Sequence, residues 1–367
     1  MGDSSLQHRP RLPQRLDWRI GCLGSGFIMA DCHLVAYRQA GLNPVAIASR
    51  TSASAQAVAD RHAIPVVHAT VDDLLADSSI DVLDIAVPPQ HQPDIIRRAC
   101  TFKHLKGILA QKPLAMSVRE AAELVNRCED AGIVLAVNQN MRFDPSIRAM
   151  KDLLDRGWLG TPVLATIDMR AVPHWMPWAQ DLPSLSTFVM SIHHLDTFRY
   201  WFGTPTRVMA STRPDPRTTF HHTDGLNLCL LEWDNGMRAS SWDDVWAAPA
   251  HAPADDETRR IVWRVEGTDG LATGTIGWPK YPVHTPSTLQ YATARQPGVW
   301  QLPTWNEAWF PEAFLGTMAQ LLVAVETGEV PEIGGRDNLE TLALCEAVFA
   351  SARDHRAVQV SEFLLGG

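Results

Sequence analysis

Two closely spaced glycines mark a segment whose chemistry would be phosphate binding. A short apolar stretch is followed by the run Gly24-Ser25-Gly26-Phe27-Ile28-Met29-Ala30. Gly24 would permit a tight turn, Gly26 would let the backbone approach a pyrophosphate, and the small Ala30 would allow close helix–strand packing. A helix starting here would offer unpaired N–H groups to the phosphates, so we expect a dinucleotide-binding turn that includes Phe27 and Ile28. The third small residue falls one place later than in GxGxxG, so a plain strand-to-helix turn is the alternative.

The residues after the second apolar stretch bear on which dinucleotide would bind. An acidic residue there would accept hydrogen bonds from the ribose 2′-hydroxyl and would repel a 2′-phosphate. This chain has Ser49 and Arg50 instead. A hydroxyl and a guanidinium suit a 2′-phosphate, so the pattern favours NADP over NAD. A solvated cation at the start of a helix is the alternative interpretation of Arg50.

A lysine follows the fifth apolar stretch, in the run Gln111-Lys112-Pro113-Leu114-Ala115. Ligands of open α/β sheets bind at the carboxyl ends of the strands, which is where we expect Lys112. A partly desolvated lysine has a lowered pKa and can exchange a proton with a substrate hydroxyl. A solvated loop lysine is the alternative.

The elements that would position these residues alternate along the first part of the chain. Strands are predicted at Trp18–Leu23, Pro44–Ala48, Val66–Val67, Asp81–Val87, Gly107–Ala110 and Ile133–Val137. Helices are predicted at Ala30–Gln39, Ser52–His62, Asp72–Ala76, Pro93–Phe102 and Ser117–Ala131. Continuous apolar strands separated by helices are typical of a parallel sheet covered on both faces. We therefore predict an α/β Rossmann domain over residues 17–143.

The second part of the chain has a different composition. Of 13 tryptophans, only Trp18 precedes residue 150. Strands are predicted at Val163–Met169, Leu226–Trp233, Arg238–Trp242 and Arg260–Glu266, and helices at Pro145–Arg156, Ser186–Phe202, Pro311–Thr327 and Arg336–Arg353. This pattern predicts an α+β domain over residues 144–330 with a large open, mostly antiparallel sheet. Residues 331–367 are predicted to form a C-terminal helix and a tail that packs back.

Composition excludes several classes of function. The formal charge of -9 disfavours nucleic acid as a partner, and no apolar run is long enough to span a membrane. Residues 1–16 are polar and are interpreted as a disordered arm. Six cysteines are scattered without CxxC spacing, so neither a disulfide framework nor a metal site is predicted, and a reducing cytoplasm fits. The cluster formed by His221, His222 and Asp224 is interpreted as a loop because no third ligand spacing appears.

Taken together, several motifs resemble the Gfo/Idh/MocA family of glucose–fructose oxidoreductase, inositol dehydrogenase and their relatives. The resemblance covers about residues 18–360. It is carried by the glycine turn, Val87-Pro88-Pro89-Gln90-His91, the Gln111–Ala115 run, Asn140-Met141-Arg142-Phe143-Asp144-Pro145, and His193-His194-Leu195-Asp196. Each motif alone has low specificity, whereas the combination is fairly specific.

The resemblance implies an NAD(P)-dependent oxidoreductase acting on a small hydroxylated or carbonyl substrate. It implies further cofactor contacts at Pro88, His91, Gln111 and Asn140, and substrate contacts at Lys112, Arg142, Trp175, His193, His194 and Asp196. Lys112 would hydrogen-bond the reacting oxygen, and His193 would take or give the proton while hydride passes to or from the nicotinamide. Asp196 would fix the imidazole tautomer of His193. Surface pairing of His193 with Asp196, and junction packing of Arg142, are the alternatives.

The chain departs from the family pattern at two positions. Gln111 stands where the family usually has Glu before Lys-Pro, which keeps hydrogen bonding and loses charge. Val189, four residues before His193, stands where the family tends to have Asp, and valine cannot move a proton. Lys112 and His193 are therefore the expected acid/base groups, and His194 is a candidate to replace the missing acid.

Three functions remain open. The leading interpretation is a dehydrogenase or reductase of a sugar, a polyol or a related cyclic alcohol, and a dihydrodiol dehydrogenase or another carbonyl reductase is a second. A catalytically silent nucleotide sensor is the third, favoured by Val189 and Gln111. Trp175 and Trp178 would stack on a sugar ring, or would pack in a core or an oligomer interface. Strand aromatics such as Trp242 and Trp263 are expected on an exposed sheet side that pairs copies into a homodimer or homotetramer.

Overall fold

The structure, a computed structural model, describes residues 6–170, 177–182, 184–244 and 259–364. Within them the strands are β1 (Arg19–Leu23), β2 (Asn43–Ala48), β3 (Val66–Val67), β4 (Val82–Ile85), β5 (Gly107–Ala110), β6 (Val134–Val137), β7 (Pro162–Arg170), β8 (Arg207–Arg213), β9 (Leu226–Glu232), β10 (Arg238–Asp244), β11 (Arg260–Gly267), β12 (Gly270–Thr275), β13 (Thr288–Thr293) and β14 (Val358–Gln359). The helices are α1 (Leu34–Ala40), α2 (Ser52–His62), α3 (Val71–Ala76), α4 (Gln92–Ala99), α5 (Val118–Asp130), α6 (Pro145–Asp155), α7 (Pro177–Gln180), α8 (Ile192–Phe202), α9 (Ala313–Thr327) and α10 (Gly335–Asp354). Two π turns, Ile28–His33 and Thr187–Ser191, lead into α1 and α8.

The described residues divide into two compact units. The first unit contains Pro10–Asn140 and Phe310–Leu339, and the second contains Met141–Trp309 with the described residues before Pro10 and after Leu339. Helix α9, which the sequence analysis assigned to the 144–330 domain, belongs to the first unit because it packs on β5 and β6. A side chain at Gly107 of β5 would lie 2.8 Å from Leu321 of α9, so glycine permits this close approach.

The first unit is built on a six-stranded parallel sheet. Its strand order is β3-β2-β1-β4-β5-β6, and the predicted helices connect the strands. Strands β4 and β5 are buried along their whole length, as expected for strands covered on both faces. Helix α5 begins as predicted, with Ser117 as its N-cap accepting from Glu120 N–H at 3.2 Å. The N-cap of α2 is Thr51, whose side chain accepts from Ser54 N–H.

The second unit is built on an eight-stranded sheet. Its order is β13-β12-β11-β7-β10-β9-β8-β14, in which β7 and β10 pair parallel and the other neighbours pair antiparallel. A hairpin turn joins β9 to β10, and Gly236 in this turn has φ of 94°. Buried and exposed side chains alternate along β9, so the sheet has one core face and one exposed face.

Only one of the two tryptophans expected on the exposed side lies there. Trp242 on β10 is 53% exposed, which agrees with the prediction. Trp263 on β11 is 1% exposed, and its indole N–H donates to Ser146 Oγ at 3.1 Å, so the prediction for this residue is wrong. Alternation along a strand shows which residues share a face, but it does not show which face is buried.

The amino-terminal segment, interpreted from sequence as a disordered arm, is held by hydrogen bonds where the structure describes it. In the second unit, Gln7 N–H donates to Asp152 Oδ2 at 2.9 Å. In the first unit, the N–H groups of Gln14 and Arg15 donate to the carboxylate of Glu326 at 2.9 and 2.8 Å. The partners lie far away along the chain, so local composition gave no sign of them. Among the described residues, no helix is both long and apolar enough to cross a membrane.

Candidate functional site

The glycine turn after β1 has the backbone geometry that its sequence predicts. Gly24 has φ of 107°, and a Cβ there would lie 2.2 Å from the carbonyl oxygen of Ala86, so only glycine fits. A Cβ at Gly26 would meet no atom within 4 Å, so this part of the backbone faces open space. Ala30 N–H donates to Gly26 O at 2.9 Å, and the helix begins as a π turn at Ile28. Phe27 and Ile28 are both half-buried.

Hydroxyl groups cluster at the end of β2. Ser25 Oγ donates to Ser49 Oγ at 2.9 Å and to Ser54 Oγ at 3.0 Å, which joins the glycine turn to the first turn of α2. Arg50 is exposed beside them, and among the described residues no carboxylate lies within salt-bridge distance of it. The cluster therefore combines several donors with an uncompensated positive charge.

A buried glutamine holds the main chain around Lys112. Gln92, at the start of α4, is fully buried, and its Oε1 accepts from Gln111 N–H at 2.6 Å. Its Nε2 donates to the carbonyl oxygens of Gln111, Pro113 and Leu114 at 2.9, 3.2 and 3.0 Å. The Lys112–Pro113 peptide is cis, and Lys112 is half-buried. We call these four hydrogen bonds the Gln92 clamp.

The Gln111 side chain points into a second polar network, which no motif in the sequence predicted. His33 and Asp84 are both fully buried, with Nδ1 and Oδ2 2.7 Å apart, and Tyr37 Oη donates to the same oxygen at 2.7 Å. On the other side, Nε2 of His33 lies 3.2 Å from Gln111 Nε2 and 2.9 Å from Asn138 Nδ2. Gln111 was predicted to contact the cofactor, and in the structure its amide is bound by this network. The sequence sign of this network was Asp84, a charged residue inside the otherwise apolar strand β4.

The other cofactor residues predicted in the first unit lie near these turns. Pro88 is half-buried, and its carbonyl accepts from His91 N–H at 3.0 Å. His91 is exposed at the N-cap of α4, where its side chain makes no capping hydrogen bond. Asn140 is buried in the turn that follows β6.

The predicted histidines of the second unit lie on a buried helix. His193 is 4% exposed and His194 is fully buried, both in the first turn of α8. The ring of His193 packs edge-on against Trp309, with centroids 5.4 Å apart. Val189 is buried in the π turn that precedes α8, so this position cannot supply a titratable group.

Asp196 pairs with Arg142. Arg142 Nε and Nη2 donate to the two carboxylate oxygens of Asp196 at 2.6 and 2.7 Å, and Thr341 Oγ1 donates to Oδ1 at 2.7 Å. Both carboxylate oxygens accept hydrogen bonds from these donors, and the role of Asp196 in fixing the His193 tautomer stays a prediction. The alternative of a surface pair is wrong, because both residues are buried. The i,i+3 spacing showed that the two side chains share a helix face but not which partners surround it.

His194 pairs with a strand of the core face. Its Nδ1 lies 2.7 Å from Asp243 Oδ1, and both side chains are fully buried. Asp243 belongs to β10, so this pair joins α8 to the sheet. The pair fixes which way α8 faces, and thereby the side on which His193 lies.

Asp224, which the sequence placed in a loop, caps the segment leading into α8. Its carboxylate accepts from the N–H groups of Ser186 and Thr187 at 3.2 and 2.8 Å and from Ser184 Oγ at 2.8 Å. Burial raises the pKa of Asp224, although these donors oppose the rise. Its neighbour His222 accepts separately from Asp215 N–H at 2.9 Å.

Trp175 lies outside the described residues, and Trp178 is half-buried in α7.

Two sequence profiles of one family match the chain. The profile described as "Oxidoreductase family, NAD-binding Rossmann fold" matches residues 18–139, and the GFO/IDH/MocA C-terminal domain matches residues 147–273. The uncharacterized oxidoreductase YrbE of Bacillus subtilis is 31% identical over 299 residues, which cover 79% of this chain and 81% of that protein. This chain belongs to the GFO/IDH/MocA oxidoreductase family.

Other relatives and a solved structure agree with this assignment. The chain is 26% identical over 345 residues to the D-apiose dehydrogenase of Paraburkholderia graminis, covering 92% of this chain and 88% of that protein. It is 29% identical over 357 residues to the D-xylose 1-dehydrogenase (NADP(+)) 2 of Haloferax volcanii, covering 93% and 99%. An oxidoreductase from Agrobacterium radiobacter, solved with NAD+, L-tartaric acid and magnesium, superposes with a TM-score of 0.81 at 23% identity, covering 95% and 100%. The predicted fold class is confirmed, and the chain is an NAD(P)-dependent oxidoreductase.

The first unit of this GFO/IDH/MocA protein fits the dinucleotide that its family implies. The open space at Gly26 leaves room for a pyrophosphate beside main-chain N–H groups. The hydroxyls of Ser25 and Ser49 lie at the end of β2, where the ribose of a dinucleotide binds in Rossmann domains. These residues match in type and position what a nicotinamide dinucleotide needs.

Proposed function

We propose that this protein transfers a hydride between a nicotinamide cofactor and a sugar, a polyol or a related cyclic alcohol or ketone. The relatives named as D-apiose and D-xylose dehydrogenases support this substrate class, since each matches over 92% or more of the chain. The observation that carries the chemistry is the Gln92 clamp, which holds the main chain on both sides of Lys112. A fixed main chain limits the positions that the lysine side chain can reach, which favours action on one substrate oxygen.

Lys112 and His193 are the groups that we propose move or hold the proton. Lys112 is half-buried, and partial removal of water from an ammonium group strengthens its hydrogen bond to a reacting oxygen. His193 is 4% exposed, and an imidazole can take or give a proton at physiological pH. A bound nicotinamide would supply or accept the hydride.

We propose NADP as the preferred cofactor. The end of β2 carries Ser49 and Arg50 and no acidic residue that would repel a 2′-phosphate. Ser25 and Ser54 add hydroxyls within 3.0 Å of each other, and the guanidinium of Arg50 is exposed for a charge-assisted contact. The Haloferax volcanii relative is named for NADP(+), whereas the Agrobacterium radiobacter structure holds NAD+.

Titration and turnover assays test the proposal. Fluorescence titration with NADPH and NADH should show tighter binding of NADPH, after which a panel of pentoses, hexoses, inositols and cyclic ketones should show turnover with one class. Turnover of dihydrodiols or of unrelated carbonyl compounds, with none of sugars or polyols, would assign the alternative reductase function. Absence of binding by either nucleotide would contradict the interpretation of the glycine turn.

The role of Lys112 is tested by substitution. Lys112→Ala should lower kcat by about 10²–10⁴-fold because general acid–base groups contribute factors of that size. Binding of NADPH should change little. Lys106→Ala is the matched control, because Lys106 is a half-exposed lysine of the same unit that pairs with Asp81 at 2.6 Å. Equal activity of the two variants would rule out the proposed role.

A silent nucleotide sensor is the second candidate function. Val189 favours it, because the structure buries this residue where the family tends to place an acid. A sensor would bind NADPH stoichiometrically, would show no turnover in either direction, and would be unaffected by Lys112→Ala. Single-turnover absorbance measurements at enzyme concentrations above that of the cofactor distinguish a slow enzyme from a sensor.

We propose that the exposed face of the second sheet pairs with a second copy of the chain. Exposed apolar side chains on adjacent strands lie opposite one another, Met209 with Leu230 and Leu228 with Trp242. A contiguous apolar patch of this kind is typical of an interface. Light scattering should give a dimer or a tetramer, and Trp242→Glu should weaken it. A monomer at micromolar concentration would contradict the proposal.

A cytoplasmic location is also proposed. All six cysteines are free thiols, and five of them are buried. Proteins of oxidising compartments commonly carry structural disulfides, whereas a reducing cytoplasm keeps thiols free. Fractionation of cells that express the protein tests the location.

A further inference from the structure

Two cysteines that are distant in the sequence face each other in the first unit. Cys100 is the C-cap of α4, and Cys128 lies near the end of α5. Their sulfur atoms are 3.6 Å apart. A disulfide bond is about 2 Å long, so a small movement of the side chains would bring the sulfurs to bonding distance.

Cys100 differs from the other five thiols in exposure and acidity. It is the partly exposed cysteine, whereas Cys128 and the remaining four are buried. The hydrogen bond from Cys128 and the positive charge of Arg127 lower the pKa of the Cys100 thiol. The neighbouring Cys100 raises the pKa of Cys128, and burial raises that of Cys22 and of the other buried thiols. An exposed thiol with a lowered pKa is the one that reacts.

We propose that Cys100 and Cys128 form a reactive dithiol that low-molecular-weight disulfides such as glutathione disulfide oxidise to a disulfide joining α4 and α5. The Cys100 thiolate attacks one sulfur of the small disulfide, forming a mixed disulfide and releasing one small thiolate, which takes up the proton that Cys100 has lost. Cys128 then gives up its proton and attacks the Cys100 sulfur, releasing the second small thiol. Two protein thiols are oxidised and one small disulfide is reduced to two thiols.

The cross-link would close a loop that contains β5 and the Lys112 turn. Closing a loop reduces the conformational freedom of the unfolded chain, so the oxidised protein should melt at a higher temperature. Helix α4 starts at Gln92 and ends at Cys100, so the bond would tie its carboxyl end to α5 while the Gln92 clamp holds its amino end. This inference does not depend on the identity of the substrate.

Mass spectrometry of the full-length protein with and without glutathione disulfide tests the proposal. The treated protein should lose the mass of two hydrogen atoms and yield a cross-linked Cys100–Cys128 peptide, and dithiothreitol should restore the original mass and melting temperature. An unchanged mass after prolonged incubation would overturn the proposal. A cross-link or an adduct at the other four cysteines would overturn it too.

Two variants separate the steps. Cys128→Ser lacks the second thiol and should stop at the mixed disulfide, with glutathione attached at Cys100. Cys100→Ser should remain unmodified under the same conditions. If the wild-type protein also retains glutathione at Cys100, then Cys128 does not complete the exchange and the dithiol proposal is wrong.

Discussion

The two residues proposed to act on the proton are held in different ways. Lys112 lies on a turn whose main chain is fixed by the neutral amide of Gln92. His193 lies on a helix whose neighbouring side chains form buried polar pairs, an ion pair of Asp196 with Arg142 and a hydrogen bond of His194 with Asp243. The turn of Lys112 is held by hydrogen bonds between the main chain and an uncharged group, whereas the surroundings of His193 include charges that have been removed from water.

Because of this difference, we expect the two arrangements to respond differently to pH and to substitution. An amide keeps its hydrogen-bonding capacity at every pH at which proteins fold, so the Gln92 clamp should not respond to pH. A buried ionic pair has a large desolvation cost, and losing one partner leaves an uncompensated charge in the core. The surroundings of His193 should therefore respond more strongly to substitution and to pH than the Gln92 clamp.

Breaking the Arg142–Asp196 pair should have the largest effect. Asp196→Asn leaves the Arg142 guanidinium buried without its counter-charge, and we expect the free energy of unfolding to fall by about 3–5 kcal/mol. Urea denaturation monitored by tryptophan fluorescence measures this change. Asp155→Asn, which removes an exposed partner of Lys151 on α6, is the control and should cost less than about 1 kcal/mol. Similar losses in both variants would show that burial does not set the cost of breaking the Arg142–Asp196 pair.

Removing the Gln92 clamp should lower the rate of the reaction. Gln92→Leu abolishes all four hydrogen bonds, and misplacing a reacting group by about 1 Å can cost 10²-fold, so we expect kcat to fall by about that factor. Steady-state kinetics and NADPH titration measure the effect. Gln92→Glu keeps the acceptor for Gln111 N–H but replaces the donor with a charge that faces carbonyl oxygens, so it should not restore activity. A normal kcat in both variants would show that the clamp does not position Lys112.

Titration of the buried Asp144 carboxyl in the second unit should make the free energy of unfolding depend on pH. Burial raises the pKa of this N-cap carboxyl from 3.8 to about 6, although hydrogen bonds from Ser146 and Ser287 oppose the rise. The folded state thus binds the proton more tightly than the unfolded state. The stabilising contribution is complete below about pH 4 and is lost as the pH rises through about 6.

Asp144→Asn should remove this pH dependence. The stability of the wild type relative to the variant should decrease by roughly 2 kcal/mol as the pH rises from about 4 to about 6, because each pKa unit corresponds to about 1.4 kcal/mol. Urea denaturation at a series of pH values measures the difference. Asp234→Asn, an exposed turn residue, is the control and should follow the wild type. A constant difference across this range would contradict the assignment.

Removing the Arg50 guanidinium should have the smallest effect, a change in the preference for NADPH over NADH. Arg50→Ala should raise the dissociation constant of NADPH by about tenfold and leave that of NADH nearly unchanged, since a charged hydrogen bond contributes about 1.5 kcal/mol. Because Arg50 is exposed, kcat and stability should change little. Equal weakening of both nucleotides would show that Arg50 contacts a part that they share.

Local signals predicted most of the regular structure. Helix α2 was placed at its observed ends, Ser52 and His62, and Gly107–Ala110 was placed correctly as a strand. Strands β8, β12 and β13 were missed because their alternation includes polar and glycine residues that also occur in loops. The exposed side of β11 was misassigned because burial depends on what packs against a strand.

The candidate site was predicted only where backbone chemistry dictates the residue type. Gly24 was identified because its positive φ and close contact require glycine. Gln92, His33 and Asp84 were missed because their partners lie on other strands and helices, and no spacing in the sequence connects them. Asp196 was identified as a residue of interest, but its pairing with Arg142 was not predicted, because the two residues lie far apart in the sequence.

The Gln92 clamp contacts only main-chain atoms, at Gln111, Pro113 and Leu114, and none of its four bonds involves the side chain of Lys112. The turn should therefore keep its shape when that side chain is exchanged, so other functional groups can be placed at position 112. A cysteine placed there and alkylated with bromoethylamine would regenerate an ammonium group of nearly the same length. Small alkylamines added to Lys112→Ala would enter the space left by the side chain and restore part of the activity. The reactive group at this position can therefore be changed without altering the main chain that carries it.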